Sequence, residues 1–408
     1  MAFKYVKNLV ESEKKRQNNV INLIASENLV SENILSLQAS IFSNKYAEGY
    51  PYKRYYGGCK NVDKIEKLSI DLCKKIFNVK YVNVQPHSGS QANQAVYMAL
   101  CNPGDVILGL DLIHGGHLSH GFKNNFSGHY YKSFSYYLNE LSYHIDYDSL
   151  YVLAKKHKPK IIVAGVSAYS RIINWRTIKS ICESVNAYLL ADISHVAGMI
   201  VANLYPSPSN FADVITSTVQ KTLRGTRGGI ILTNYNDIIK KVNKSVFPGI
   251  QGGPAINIIA AKAVSFFEAS KGKFIVYQKN VIRNARLFSN ILKRNGFSIV
   301  SGGTDTHLFL VDLSMLKLSG SSAEELLERF GIIVNKNSIP FDKFGSLTCS
   351  GIRIGTAYIT SRGFSSKDVE FVAKSIVKIL TNKSRTNYLK YSLFSLCKKK
   401  KIVYEKNL

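Results

Sequence analysis

The chain has 408 residues, 45% of them hydrophobic, which is enough to bury a large core and too apolar for a disordered chain; its length suits two domains or one large α/β domain with an appendage. The formal net charge of +27 would suit a nucleic-acid surface, but lysine is scattered among Asn, Ile, Tyr and Phe and only Lys398–Lys401 forms a compact run, so nucleic acid is not the expected partner. No apolar run approaches a membrane span, the N-terminal residues lack a secretory core, and six dispersed cysteines without C-x-x-C or zinc-ligand spacing predict reduced thiols in a cytoplasmic protein without a metal.

In chain order, Tyr46-Ala47-Glu48-Gly49-Tyr50-Pro51 and Arg54-Tyr55-Tyr56-Gly57-Gly58 are too polar and too rich in aromatic residues and Gly for a core strand. A carboxyl enclosed by tyrosines would be desolvated toward the range of a general acid or base, although a solvated Glu in an aromatic turn fits the same residues. His87-Ser88-Gly89-Ser90-Gln91-Ala92-Asn93 runs into Gln94–Leu100, predicting a helix whose Ser/Gly-rich first turn offers free N–H groups to a phosphate. Alone, such a turn is more often explained by ordinary N-capping. Short β-branched runs at 105–110, 160–167, 187–192, 213–219 and 229–233 alternate with helical segments, which predicts a largely parallel sheet covered by helices. Functional groups are then expected at the carboxyl ends of the strands, where Ser167, Asp192, His195 and Lys221 fall.

Gly115-Gly116-His117-Leu118 places an imidazole after a flexible turn, suited to stacking on a flat ring or to no task at all. Pro248–Pro254 is a loop that exposes backbone amides, or equally only a tight connection between elements. The most telling pair is Lys221, in Val219-Gln220-Lys221-Thr222-Leu223, and Asp192, at the end of the apolar run from Ala187. An amine that forms a Schiff base and a carboxylate that keeps a pyridine nitrogen protonated are the two groups a pyridoxal phosphate enzyme requires. Beyond a helix predicted over 255–271, more separated elements at 297–301, 307–311, 323–330, 332–335, 352–356 and 367–380 suggest a smaller α+β domain. The expected division is an N-terminal arm (1–25), a large domain (26–271) and a small C-terminal domain (272–408). Arg353, charged within an apolar run, needs a partner; spacing leaves a substrate carboxylate and a structural ion pair equally open.

Taken together, Leu23–Asn28, Lys45–Pro51, Asn83–Asn93, His114–Leu118, Ser167–Ser170, Asp192–Gly198, Val334–Ser338 and Gly351–Arg353 closely resemble the serine hydroxymethyltransferase family over nearly the whole chain. The resemblance implies a fold-type I, aminotransferase-like large domain with a mostly parallel sheet, a smaller C-terminal α+β domain, and active sites shared across a homodimer. It also implies interconversion of serine and glycine with tetrahydrofolate as one-carbon carrier and pyridoxal 5'-phosphate as cofactor. Residue by residue it implies Lys221 as the Schiff-base lysine, Asp192 as the pyridinium partner and His117 as the stacking ring, with Ser167 and His195 near the cofactor hydroxyl. Ser88, Gly89, Ser90 and Gln91 match the phosphate turn, and Tyr46 and Gly253 match groups that reach the phosphate from the other subunit. Arg353 and Ser26 match the amino-acid carboxylate site, and Glu48 and Tyr56 the acid/base pair. Leu112, Gly116, Leu118, Asn337, Gly345, Ser346 and Leu347 match the folate site.

Gln220 departs from the family, which has His directly before the lysine; an amide can hydrogen-bond but not act as acid or base, so discrimination among amino acids is expected to loosen. Thr226 replaces a usual Pro, Arg171 a small residue, and Ala357-Tyr358 a usual Pro-Ala. Two other readings share parts of the pattern: a folate-independent aldolase acting on β-hydroxy amino acids, and a basic binding protein that kept the fold without the chemistry.

Overall fold

The computed structural model describes residues 1–345, 347–381 and 386–402, and it divides into two compact units. Met1–Leu29, which carries helix α1 (Ala2–Asn19), groups with the chain from Lys279 onward, while Val30–Gln278 forms the larger unit. The N-terminal stretch therefore groups with the C-terminal unit. The reason is local: Ile21 and Asn22 pair in parallel with Ile332 and Ile333, and the Gly355 N–H donates to the Leu23 carbonyl.

In the larger unit, helix α2 (Lys60–Phe77) precedes strand β1 (Tyr81–Asn83) and helix α3 (Gly89–Leu100). The sheet continues with β2 (Val106–Leu110), β3 (Lys132–Tyr136), β4 (Ile161–Gly165), β5 (Tyr188–Asp192), β6 (Val214–Thr218) and β7 (Gly229–Thr233). Helix α4 (Ile256–Ala269) follows. The strand order is β1-β7-β6-β5-β4-β2-β3, and all neighbours are parallel except β7, which runs antiparallel to both β6 and β1. Every residue of β4, β6 and β7 is buried, as a sheet covered on both faces requires. One layer of this core joins Ala92, Val96 and Tyr97 of α3 to Ile107, Ile161, Val163, Leu190, Val214 and Ile231 of the strands.

Two strands escape the sequence pattern. β1 has only three residues, and β3 is an edge strand whose Lys-Ser-Phe-Ser-Tyr run alternates exposed and covered positions.

The other unit contains most of the long helix α5 (Gly272–Arg294), within which the division between units falls. Its four-stranded antiparallel sheet consists of β8 (Ser298–Ile299), β9 (Leu308–Asp312), β10 (Asn335–Asn337) and β11 (Gly351–Gly355), in the order β8-β9-β11-β10. Helices α6 (Gly320–Arg329), α7 (Ser366–Leu380) and α8 (Thr386–Lys399) complete it. Phe288, Phe309, Val311, Leu327, Ile352, Val372 and Ile376 meet in its core, joined by Ile21 and Leu23 from the N-terminal stretch. Both halves of the expected α/β and α+β architecture are thus present.

Arg362 ties the ends of this unit together. Its guanidinium, in a residue only 6% exposed, donates to the carbonyls of Gln17, Asn18 and Val20 at the end of α1 and of Cys397 and Lys400 at the end of α8. Carbonyls at helix C-termini have no intrahelical donor and carry partial negative charge, so one planar cation satisfies two helix ends. Arg362→Leu is expected to lower stability in urea by about 3 kcal/mol, because it strands several buried acceptors, and to expose the last helix to limited proteolysis. An unchanged unfolding midpoint with an intact C-terminus would refute this.

Candidate active site

The carboxyl ends of β2, β4, β5 and β6 open on a cleft of 180 Å³ that is lined by residues these strands deliver. β2 leads into the turn with His117 and His120, β4 into Ser167, β5 ends at Asp192 followed by Ser194 and His195, and β6 ends at Thr218 ahead of Gln220 and Lys221. Ser88, Gly89 and Ser90, at the start of α3, close the cleft. Eight expected cofactor contacts of this chain, Lys221, Asp192, His117, Ser167, His195, Ser88, Gly89 and Ser90, therefore meet in one place, together with Gln220. Gln91 lies one residue on, its N–H donating to Ser88 Oγ, which caps the helix.

Asp192 is the anchor of the cleft. Its Oδ2 accepts from Asn93 Nδ2 at 2.9 Å and lies 3.0 Å from His120 Nε2, while Oδ1 accepts from the Ser194 N–H at 3.0 Å and its hydroxyl at 2.6 Å. Burial by itself would raise this carboxyl; hydrogen bonds from His120 and Ser194, and the imidazoles of His120 and His117, outweigh it and hold the group well below the usual carboxylate range. His120 Nδ1 has no partner among the described residues, so Nε2–H is the ring's donor, facing the carboxylate. Asn93 is fixed in turn, donating to Ser119 Oγ and accepting from the Thr216 hydroxyl. The His117 ring is oriented by Ser119, whose N–H and hydroxyl both lie within reach of Nδ1.

His120, Asn93 and Ser194 were not singled out in the sequence. The two histidines of Gly116-His117-Leu118-Ser119-His120 are visible there, but what separates their roles is contact with Asp192, 72 residues further on.

A second buried cation braces the cleft from below. Lys262, on α4 and 1% exposed, donates to the carbonyls of Val84 (2.6 Å), Pro86 (2.9 Å) and Gly229 (2.9 Å). Burial pulls its ammonium down to about 7, yet three carbonyls match the three donors of the protonated form. These carbonyls join the strand leading into Ser88 to the strand after the Lys221 loop. Gly228, beside them, donates its N–H to Gln220 Oε1 at 3.4 Å, so the residue in place of the family's His is tied to its own loop. A side chain on Gly89 would strike Thr218 Cγ2 at 2.6 Å, which keeps the helix start pressed against β6. Thr226 is explained as well: its N–H donates to Ser265 Oγ and its hydroxyl accepts from Gln38, and a proline has neither group.

An anion-binding helix start, a buried carboxylate and an amine on one cleft fit pyridoxal phosphate, whose phosphate, pyridinium nitrogen and aldehyde call for these three groups.

Glu48, Tyr46, Tyr56 and Gly253 form a different cluster in the same unit, and none of them lines the Lys221 cleft. The Tyr46 hydroxyl donates to Glu48 Oε1 at 3.3 Å, the Tyr46 and Tyr56 rings lie 5.2 Å apart edge to face, and a side chain on Gly253 would enter the Tyr46 ring. The Glu48 charge pushes the Tyr56 phenol up. Gln251 links this loop to the phosphate turn, accepting from the His87 N–H and donating to the Gln85 carbonyl.

Of the residues matched to folate, Leu112 is half-buried, Gly116 buried and Leu118 exposed in the larger unit. In the smaller unit Asn337 is half-buried on β10, Gly345 and Leu347 are exposed, and Ser346 lies outside the described residues. Ser26 is half-buried there. Arg353, on β11, donates from Nε to Asn335 Oδ1 at 3.1 Å, and burial pulls its guanidinium down to about 10.

A family model described as serine hydroxymethyltransferase matches residues 2–376. The serine hydroxymethyltransferase of Onion yellows phytoplasma (strain OY-M) is 52% identical over 384 residues, covering 93% of this chain and 92% of that protein. That of Legionella pneumophila (strain Corby) is 51% identical over 393 residues, covering 95% and 94%. The chain belongs to the serine hydroxymethyltransferase family, and with it to the fold-type I enzymes that use pyridoxal phosphate, and tetrahydrofolate as co-substrate, to interconvert serine and glycine.

Proposed function

We propose that the family reaction runs in this chain at the Lys221 cleft, completed by Tyr46, Glu48, Tyr56 and Gly253 of a second copy in a homodimer. The observation that carries this reading is the convergence of Lys221, Asp192 and the Ser88 turn on one cleft that holds no residue of the Glu48 cluster. Each copy then supplies the cofactor groups of one site and the acid/base groups of the other.

Bound pyridoxal phosphate supplies an electron sink for the carbanion left when a bond to the amino-acid α-carbon breaks. The chain's own groups do the rest. Lys221 would supply the amine that holds the cofactor's aldehyde. Asp192, kept ionised by its donors, holds the proton on the pyridine nitrogen. His117 covers the ring and excludes water, Ser167 and His195 bind beside the ring hydroxyl, and Ser88 to Gln91 bind the phosphate with Tyr46 and Gly253 of the other copy. Arg353 and Ser26 grip the substrate carboxylate and so orient the bond that breaks. Glu48, with Tyr56, moves the proton at the serine hydroxyl. Leu112, Gly116, Leu118, Asn337 and the segment Gly345 to Leu347, including Ser346, are assigned to tetrahydrofolate, and Gln220 to substrate choice.

A cytoplasmic location belongs to the same proposal. It is supported by six cysteines that are all buried, and among the described residues no helix is long and apolar enough to cross a membrane.

Serine-to-glycine conversion measured with and without tetrahydrofolate tests the reading: a strong dependence is expected, and equal rates would point to the folate-independent aldolase. Asp192→Asn is expected to weaken cofactor binding and lower kcat by about 100-fold or more, read by absorbance titration and steady-state rates. Because the folded protein holds Asp192 ionised below its ordinary value of 3.8, its contribution to stability is whole above about pH 5 and shrinks by about 1 kcal/mol on going to about pH 3. Urea unfolding of the apoprotein should show wild type losing that much of its lead over Asp192→Asn. Lys262→Met, which removes all three donors at nearly constant length, should raise the cofactor dissociation constant about tenfold. Ile259→Val, a neighbouring loss of packing, should leave it unchanged.

A further inference from the structure

The hairpin that carries Glu48 cannot hold itself. Its strands are two residues each, Gly49–Tyr50 against Lys53–Arg54, and an isolated ladder that short is unstable in water. What fixes it is the head of Arg54, folded back beneath its own hairpin with a side chain only 3% exposed. Nη1 donates to the carbonyls of Ala47 (3.1 Å) and Gly49 (2.9 Å), the two residues that flank Glu48. Nε donates to Asp63 Oδ1 at 2.9 Å and Nη2 to Glu66 Oε2 at 2.6 Å, both on α2. Gln85 Nε2 adds donors to the Gly49 carbonyl (3.0 Å) and to Glu66 Oε1 (2.8 Å). Glu66 is 1% exposed.

A buried ion pair of this depth adds little net stability, because desolvation offsets its Coulomb gain. Its distinctive property is direction: the donors of a guanidinium are rigidly coplanar, so carbonyls bound to one edge are fixed relative to carboxylates bound to the other. Glu48 lies between the two fixed carbonyls, and its own carbonyl accepts from the Tyr55 N–H at 3.0 Å.

We propose that Arg54, seated on Asp63, Glu66 and Gln85, is a positioning residue that aims the Glu48 carboxylate into the active site of the partner copy. The proposal rests on the shared-site reading above and adds a residue that touches neither substrate nor cofactor. Arg54 acts on a site other than the one its own chain's Lys221 serves.

The test uses full-length holoenzyme and two variants. Arg54→Met removes every donor. Arg54→Lys keeps the charge without the fork, and it carries the test if the first does not fold. Tetrahydrofolate-dependent serine cleavage should lose about 100-fold in kcat for Arg54→Met and about 10-fold for Arg54→Lys, with the serine KM and cofactor affinity within about threefold of wild type. A general loosening of the fold would move affinity and the unfolding midpoint together with the rate.

Hybrid dimers of Arg54→Lys and Lys221→Ala chains, isolated through two different tags, then locate the effect. One of their two sites combines an intact Lys221 with an intact Arg54 hairpin, so about half the wild-type rate per dimer is expected. A control hybrid pairs Glu48→Gln with Lys221→Ala. If the control recovers and the Arg54 hybrid stays at the per-site rate of the Arg54→Lys homodimer, the positioning role is overturned. If neither recovers, the shared-site reading is wrong and the proposal falls with it.

Discussion

A carboxylate buried at the end of a parallel strand is the fixed point around which the larger unit is arranged. Asp192 would be costly to bury unpaired, and the fold answers with four donors from three places: Asn93 on the helix after the phosphate turn, His120 on the turn after β2, and Ser194 on its own turn. Each donor comes from an element that also lines the cleft, so holding the charge and shaping the pocket are one requirement. Were the carboxylate to move, the helix start that binds phosphate and the turn that carries His117 would lose a common tether.

The same economy governs cations. Lys262, Arg54 and Arg362 each lie beneath the surface with their donors directed mainly at backbone carbonyls or at buried carboxylates. Each joins separate segments of the chain: the Ser88 approach to the strand after Lys221, the Glu48 hairpin to α2, and the end of α1 to the end of α8. Such groups contribute less to net stability than to register, since water would solvate them nearly as well. They fix which backbone faces which, and catalytic geometry needs that more than it needs a deeper energy minimum.

The strands that deliver the site were legible because fully covered β-branched runs such as Ile161–Gly165 and Val214–Thr218 have few competing explanations. The cofactor-facing residues were legible for a related reason, since they fall at strand ends or in Gly-rich turns. β1 and β3 were not, one being too short and the other too polar at the sheet edge. His120 and Asn93 were hidden because their task is defined by contact across the chain, and no local pattern marks it. Lys262 is an anomaly within the apolar helix Ile256–Ala269, but its partners are carbonyls, which carry no residue-type signature. Arg54 reads as one more polar residue in an aromatic turn. The pairing of Ile21 and Asn22 with Ile332 and Ile333 was not legible, because a two-residue parallel ladder leaves no periodicity to read.

The three carbonyls around Lys262 also change what that amine can do chemically. Although it counts toward the formal charge like any surface lysine, its lone pair is unavailable while the cage is closed, and acylating reagents meet it only when the segments at Val84 and Gly229 part. Its modification rate is thus a clock for local opening beneath the cleft, running slowly when the pocket is filled and faster when it is empty.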